Sequence, residues 1–185
     1  VFAPNNKPNY AWSPLALTVS KTGDLFVTEV SQGIHSVGIF EPSGMLKFEF
    51  GKEGEALGEF AFPNGVAVDS KGGIYVSDSN NWRLQVFDST GKLAGLLKEG
   101  EKPAGVGMPR GLAIDSKNRL HVVDTFGHRI MVFQIGGNVR MLYAFGTFGD
   151  GDGQFRYPNS IAIDDERGRL YITDRENNRV QVWRY

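Results

Sequence analysis

Residues 63–88 read PNGVAVDSKGGIYVSDSNNWRLQVFD. Ile74 and Val76 alternate with Tyr75 and Ser77, and Leu84 and Val86 flank Gln85. A period of two sends successive side chains to opposite faces of a strand. Between the strands lie SKGG and SDSNNWR, polar stretches of the residues that close turns and hairpins.

The unit recurs. Four segments begin at a proline: PLALTVSKTGDLFVTE from Pro14, PNGVAVDSKGGIYVSD from Pro63, PRGLAIDSKNRLHVVD from Pro109 and PNSIAIDDERGRLYITD from Pro158, at intervals of 49, 46 and 49 residues. Each continues into a further apolar strand, SVGIFE, RLQVFD, RIMVFQ and RVQVWR, and the first three add an outer stretch, MLKFEF, KLAGLLKE and VRMLYAF. Four short antiparallel strands per repeat of this length are the signature of a propeller blade. The sequence therefore predicts an all-β propeller in one domain over residues 1–185, with repeats near 14–51, 63–100, 109–146 and 158–185. Radial packing buries both faces of a blade, which explains how half-apolar strands form a core.

Composition narrows the function classes. Twenty Lys plus Arg against 21 Asp plus Glu leave a net charge of -1, which argues against holding nucleic acid or an anionic membrane by bulk positive charge. With 41% hydrophobic and 12% aromatic residues, a packed domain burying about 70% of its unfolded surface is expected, not a disordered chain. The 24 Gly and 8 Pro are spread along the chain, as turns between short elements require. Absence of Cys removes disulfides, thiolate nucleophiles and Cys-ligated metals. No apolar run approaches the roughly 20 residues of a membrane-spanning helix, and no signal peptide is visible. The cysteine-free, glycine-rich repeats and a first residue Val1 in place of Met point to an extracytoplasmic bacterial setting, periplasmic or secreted.

The recurring P-x-G-[VIL]-A-[VI]-D, [IL]-Y-V-x-D and N-x-R-[IV]-Q-V-[FW] elements resemble the NHL repeat, and FGTFGDGDGQFRYP, ending at Pro158, resembles the linker between consecutive NHL blades. The resemblance covers about residues 14–185 and is specific in the second to fourth repeats, with Ser160 a departure from Gly. The first repeat is degenerate, with Glu29 where the others have Asp and Ser36 where they have Arg. The resemblance implies a rigid platform for protein partners, with RNA binding and an amidating lyase as minority uses. RNA binding needs a strongly basic face, and no block of Lys and Arg occurs here. The lyase needs a histidine-rich metal centre, which three scattered histidines do not obviously supply. The family's usual rings exceed four blades, most often six. The four repeats are thus either a closed ring or an arc of a larger one that can associate with a second copy. Val1 to Ala3 are expected to close the fourth repeat beside Val180 to Trp183, although Pro4 keeps any such strand short.

Asp78 and Arg83, Asp124 and Arg129, and Asp174 and Arg179 each stand five apart, bracketing the loop between second and third strands. An Arg fork can bond a carboxylate and nearby carbonyls in fixed geometry, so repetition favours structural ion pairs over catalysis. Asp69, Asp115 and Asp164 close the first strand where an Asp side chain caps a tight turn. The run Gly149-Asp150-Gly151-Asp152-Gly153 lacks the ligand spacing of a calcium loop and reads as a flexible connector. No Ser sits in a nucleophile elbow beside a base. No catalytic residue, metal or cofactor is assigned.

In a four-stranded blade, the loops between strands two and three and the connectors between blades emerge on one rim. Here that rim carries Lys52 to Phe62, Glu99 to Met108 and Thr147 to Tyr157, with Trp82, Phe126, His128, Arg175 and Asn177 in the loops. Trp82 and Phe126 are the candidate anchors for a protein partner; the alternative is that both rings fold onto a neighbouring blade. Asn64, Arg110 and Asn159 follow the repeat prolines and are expected beside the axial channel, where Arg110 meets an anion or a neighbouring carbonyl. The leading expectation is a non-enzymatic protein-binding scaffold. A metal-dependent lyase or hydrolase using the channel, and an RNA-binding domain, are the alternatives.

Overall fold

The alternating segments form strands whose apolar side chains pack against neighbouring sheets, on both faces in blades 2 and 3 and on one face in blades 1 and 4. The computed structural model describes residues 12–31, 33–99, 102–103, 105–137 and 139–185, so the expected closing strand at Val1 to Ala3 lies outside the described residues. Blade 1 comprises β1 (Pro14–Val19), β2 (Leu25–Glu29), β3 (Ser36–Phe40) and β4 (Leu46–Phe50). Blade 2 comprises β5 (Pro63–Val68), β6 (Ile74–Asp78), β7 (Arg83–Phe87) and β8 (Leu93–Leu96), followed by a short antiparallel pair, β9 (Lys98–Glu99) and β10 (Lys102–Pro103). Blade 3 comprises β11 (Pro109–Ile114), β12 (Arg119–Asp124), β13 (Arg129–Gln134) and β14 (Arg140–Phe145). Its connector forms a parallel pair, β15 (Thr147–Phe148) with β16 (Gln154–Phe155), before blade 4 begins: β17 (Pro158–Asp164), β18 (Arg169–Asp174) and β19 (Arg179–Arg184). Strand order follows chain order in every blade. The molecule is a four-bladed β-propeller whose fourth sheet has three strands among the described residues.

Register fixes which residues share a rim. Pro63 pairs with Asp78, Pro109 with Asp124 and Pro158 with Asp174, while each Asp stands opposite its Arg in the next strand pair. Repeat prolines, Asp–Arg pairs and connectors therefore meet at one end of the blades. The inner strands β1, β5, β11 and β17 pack in succession and together line an axial channel of about 500 Å³. Their approach is close: a Cβ on Gly65 would sit 2.2 Å from the Arg110 carbonyl oxygen, and one on Gly111 2.7 Å from Ser160 Cα. Contacts between Cβ and its neighbours cannot be that short, which accounts for the glycine of the repeated P-x-G. Ser160, at the same position of blade 4, is exposed and meets no such limit.

Three apolar clusters glue the blades. Phe26, Ile39, Phe60, Val66, Ile74 and Phe87 fill the first junction; Tyr75, Leu84, Leu112, Leu120, Met131 and Phe133 the second; Val123, Ile130, Phe155, Ile161, Leu170 and Ile172 the third. Full burial of each such side chain contributes about 1.5–3 kcal/mol. The outer flanks differ. Leu17 is 64% exposed, and Val180 and Val182 are each 57% exposed, whereas Leu84 and Ile130, the equivalents of Val180, are buried.

The run Gly149 to Asp152 is not the loose connector that its glycines suggest. Arg179 donates to the carbonyls of Asp150 and Gly151 at 2.8 and 2.7 Å, and Asn177 donates to that of Gly149 at 2.9 Å. A backbone rich in unpaired carbonyls is what a guanidinium fork can hold.

Candidate functional site

The loop-rich rim is built on three buried carboxylates. Asp78 accepts the Ala61 amide at 2.7 Å, Arg83 Nε at 2.6 Å, Gln85 Nε2 at 3.0 Å and Asn81 Nδ2 at 2.9 Å. Arg83 then spends its remaining donors on the carbonyls of Glu55, Ala56 and Glu59 in the incoming connector. Blade 4 repeats the arrangement: Asp174 accepts Arg156 N, Arg179 Nε, Gln181 Nε2 and Asn177 Nδ2 at 2.8, 2.8, 3.0 and 2.8 Å. Burial works against the Asp174 carboxylate, yet the bonds from Asn177, Arg156, Gln181 and Arg179 hold it below the ordinary range. Blade 3 keeps Asp124 and Arg129 at 2.9 Å, with Gly107 and Gly127 amides on the carboxylate and one bond from Arg129 to the Gly105 carbonyl. Gln85 and Gln181 went unassigned in the sequence, although N-x-R-x-Q at the same offset in two blades was the available signal. Asn177, an expected contact residue, spends its side-chain amide on Asp174 and Gly149.

Clamped this way, the connectors and loops present rings. Trp82 lies 5.4 Å from Phe126 between ring centroids, Phe126 5.8 Å from Tyr157, Tyr157 4.7 Å from His128 and His128 4.8 Å from Phe148. Arg156 lies over Phe148 at 5.4 Å. Trp82, Phe126 and Phe148 are 52, 47 and 59% exposed. Neither alternative for Trp82 and Phe126 describes this fully, because the rings touch each other across two blades while half their surface faces solvent. His128 is half-buried, and its Nδ1 accepts the Tyr157 amide at 3.2 Å. In the degenerate first blade His35 sits against Phe62 in the same way, 4.9 Å between rings. Trp82, His128 and Tyr157 adopt left-handed backbone conformations with φ of 55, 51 and 49°, as does Phe62 at 54°. Bulky residues in that region are strained.

Arg110 lines the axial channel. Its Nη1 donates to Asn159 Oδ1 at 2.6 Å and its Nη2 lies 3.9 Å from Met108 Sδ, while its buried Nε has no hydrogen-bond partner. Burial, and then repulsion from Arg175, push the guanidinium below its ordinary value. Arg175 is exposed and pairs with Glu176 at 2.7 Å. Asn64 lines the same channel and donates to the Phe62 carbonyl at 3.0 Å.

Elsewhere, Asp69 and Asp115 each accept two turn amides, and Asp164 accepts that of Arg167. His121 is fully buried, with Nε2 3.2 Å from Asp115 Oδ2. Among the described residues no three His, Asp or Glu side chains converge as a metal site would require.

The NHL repeat family model matches residues 60–87 and 155–183, which are blades 2 and 4 with the connector ends leading into them. Protein brain tumor of Drosophila melanogaster is 28% identical over 163 residues, covering 84% of this chain and 11% of that protein. NHL repeat-containing protein 3 of Homo sapiens is 33% identical over 85 residues, 45% of this chain and 24% of that protein. The chain therefore spans a small share of the length of these relatives. Among solved structures, the periplasmic gluconolactonase of Pseudomonas aeruginosa superposes with a TM-score of 0.67 at 16% identity, over 91% of this chain and 52% of that one, a likeness of fold. The repeat match falls on the two blades that carry the complete Asp, Asn, Arg and Gln clamp, and the chain is a β-propeller that carries the NHL repeat in those two blades.

Proposed function

We propose that the loop-rich rim binds a protein partner, with the rings from Trp82 to Phe148 at the centre of the contact. The observation that carries this is the half-exposed aromatic belt, in which Trp82, His128 and Tyr157 hold strained left-handed backbone. Left-handed backbone costs a non-glycine residue about 1–2 kcal/mol, and exposed rings bring no compensating burial in the free protein. Aromatic anchors ringed by polar groups are what protein interfaces concentrate. Replacing Trp82 and Phe126 together by Ala is expected to abolish capture of partners by the immobilised domain while leaving its thermal midpoint within a few degrees. Unchanged capture would remove both anchors from the proposal.

The flanks support a second reading, self-association. Val180 and Val182 occupy positions that are buried or half-buried in blades 2 and 3, so a further sheet packed on blade 4 would find a surface of the kind the chain already uses between its own blades. Light scattering should give a mass above one chain that falls on Val180→Lys. A single-chain mass at every concentration rejects this reading.

A further inference from the structure

Arg110 is a cation without a counter-ion. Among the described residues no carboxylate lies within 4.0 Å of its guanidinium, whereas the half-buried Arg83, Arg119, Arg129, Arg156 and Arg179 each have one and, of the half-buried arginines described, only Arg169 shares the lack. It is also the charged member of an otherwise neutral set: Leu15, Asn64 and Asn159 occupy its position in the other blades. A half-buried guanidinium held between an amide oxygen and a thioether has given up water without gaining charge compensation. Its remaining donor capacity is large, because a guanidinium carries five N–H groups in a planar fork.

We propose that Arg110, at the rim end of the axial channel, is the receptor for one carboxylate of the protein partner, an Asp or Glu side chain flanked by apolar residues. The inference rests on the protein-binding function above and names the partner's chemistry. Asn64 and Asn159 line the same channel, and Arg175 adds a second positive charge whose exposed Glu176 pair is easily exchanged. A polyanion fits worse. Glu53, Glu55, Asp150, Asp152 and Glu176 are exposed on the same rim, so a phosphate chain crossing it would meet repeated like charge. A single carboxylate between apolar side chains meets one guanidinium at the channel mouth and the rings exposed on the same rim.

The test uses nitrogen-15 spectra of the whole chain, following the Arg110 Nε–H resonance. The probes are acetyl-Ala-Leu-Glu-Leu-Ala-amide, its glutamine counterpart and a ten-nucleotide oligouridine. Millimolar glutamate peptide is expected to shift Arg110, the glutamine peptide to bind about tenfold more weakly, and Arg110→Gln to weaken the glutamate peptide by about the same factor. Arg110→Lys should recover part of the loss, since charge survives but the fork does not. Thermal midpoints of both variants identify any unfolding, and in that case the wild-type resonance with the three probes decides alone. An unmoved Arg110, or equal response to glutamate and glutamine peptides, overturns the carboxylate site. Oligouridine binding tighter than the peptide through Arg110 overturns it in favour of nucleic acid. Shifts confined to amides around Trp82 and Phe126 also overturn it and leave the protein-binding platform standing.

Discussion

The two rims of the propeller use the same left-handed backbone conformation, but only the loop-rich one also places bulky residues in it. At the rim that joins first to second and third to fourth strands, left-handed positions among the described residues carry Gly23, Gly44, Gly72, Gly91, Gly136 and Gly168, with Asn118 the one exception. These are the residues that tolerate such φ values. At the loop-rich rim Gly33, Gly51, Gly58, Gly146 and Gly153 do the same in the loops and connectors, but Phe62, Trp82, His128, Tyr157 and Asn178 share the conformation with them. One rim is chosen for easy turning, the other keeps rings where glycine would fold more readily. What permits the second choice is the set of buried carboxylates: Asp78, Asp124 and Asp174 hold the loops from beneath, and the strained residues close turns through bonds such as Trp82 N–H to the Ser79 carbonyl at 3.1 Å. Strain survives where the surroundings over-determine it.

The difference can be broken at its base. Asp78→Ala removes a buried carboxylate that satisfies Arg83, Gln85, Asn81 and the Ala61 amide, and is expected to cost about 3–5 kcal/mol in chemical denaturation. Arg129→Ala should cost only about 1 kcal/mol, because its side chain is 37% exposed and it holds its connector by one bond to Gly105. Equal losses would contradict the graded clamp.

The turn rim gives the next effect. Gly72 has φ of +85°, and an added Cβ would stand 2.9 Å from Ser89 Cβ. Gly72→Ala should therefore lower stability by about 1–2 kcal/mol. Trp82→Gly on the opposite rim relieves comparable strain while losing a ring contact worth about 0.5–1.5 kcal/mol, so its net effect on stability is expected to be within about 1 kcal/mol. A large loss at Trp82 would mean that its ring is structural.

A smaller effect depends on pH. Burial pushes the His121 imidazole below its ordinary value despite the Asp115 carboxylate beside it, so the folded chain takes up a proton there less readily than the unfolded one. The stability from neutral His121 is complete above about pH 6.5 and is lost as pH falls towards the folded value. His121→Tyr restores the residue of blades 2 and 4, where Tyr75 bonds Asp69 at 3.3 Å. It should flatten the fall in thermal midpoint between pH 7 and pH 5; an unchanged slope would assign that fall to carboxylates.

Much of the fold was legible because repetition does not depend on local propensity: the spacing of Pro63, Pro109 and Pro158 marks the inner strands that line one channel. The Asp–Arg pairs were visible for the same reason. The connectors were not, because their acceptors are backbone carbonyls, such as those of Glu55 and Asp150, which leave no mark in the sequence. The aromatic belt was half visible. Trp82 and Phe126 stand out as rings in polar loops, whereas Phe148 and Tyr157 sit in a connector, and only the backbone brings them to His128. The environment of Arg110 depends on Met108 and on Asn159 from the next blade, a juxtaposition no local pattern announces.

The central claim is that the loop-rich rim, and not the turn rim, meets the partner. It is tested most directly by placing one photoreactive phenylalanine derivative at Phe126 and, separately, at Lys117 on the turn rim, then comparing adducts. Adducts are expected from position 126, lost when Trp82→Ala is added, and absent from position 117. Equal adducts from both rims, or adducts from position 117 alone, would contradict it.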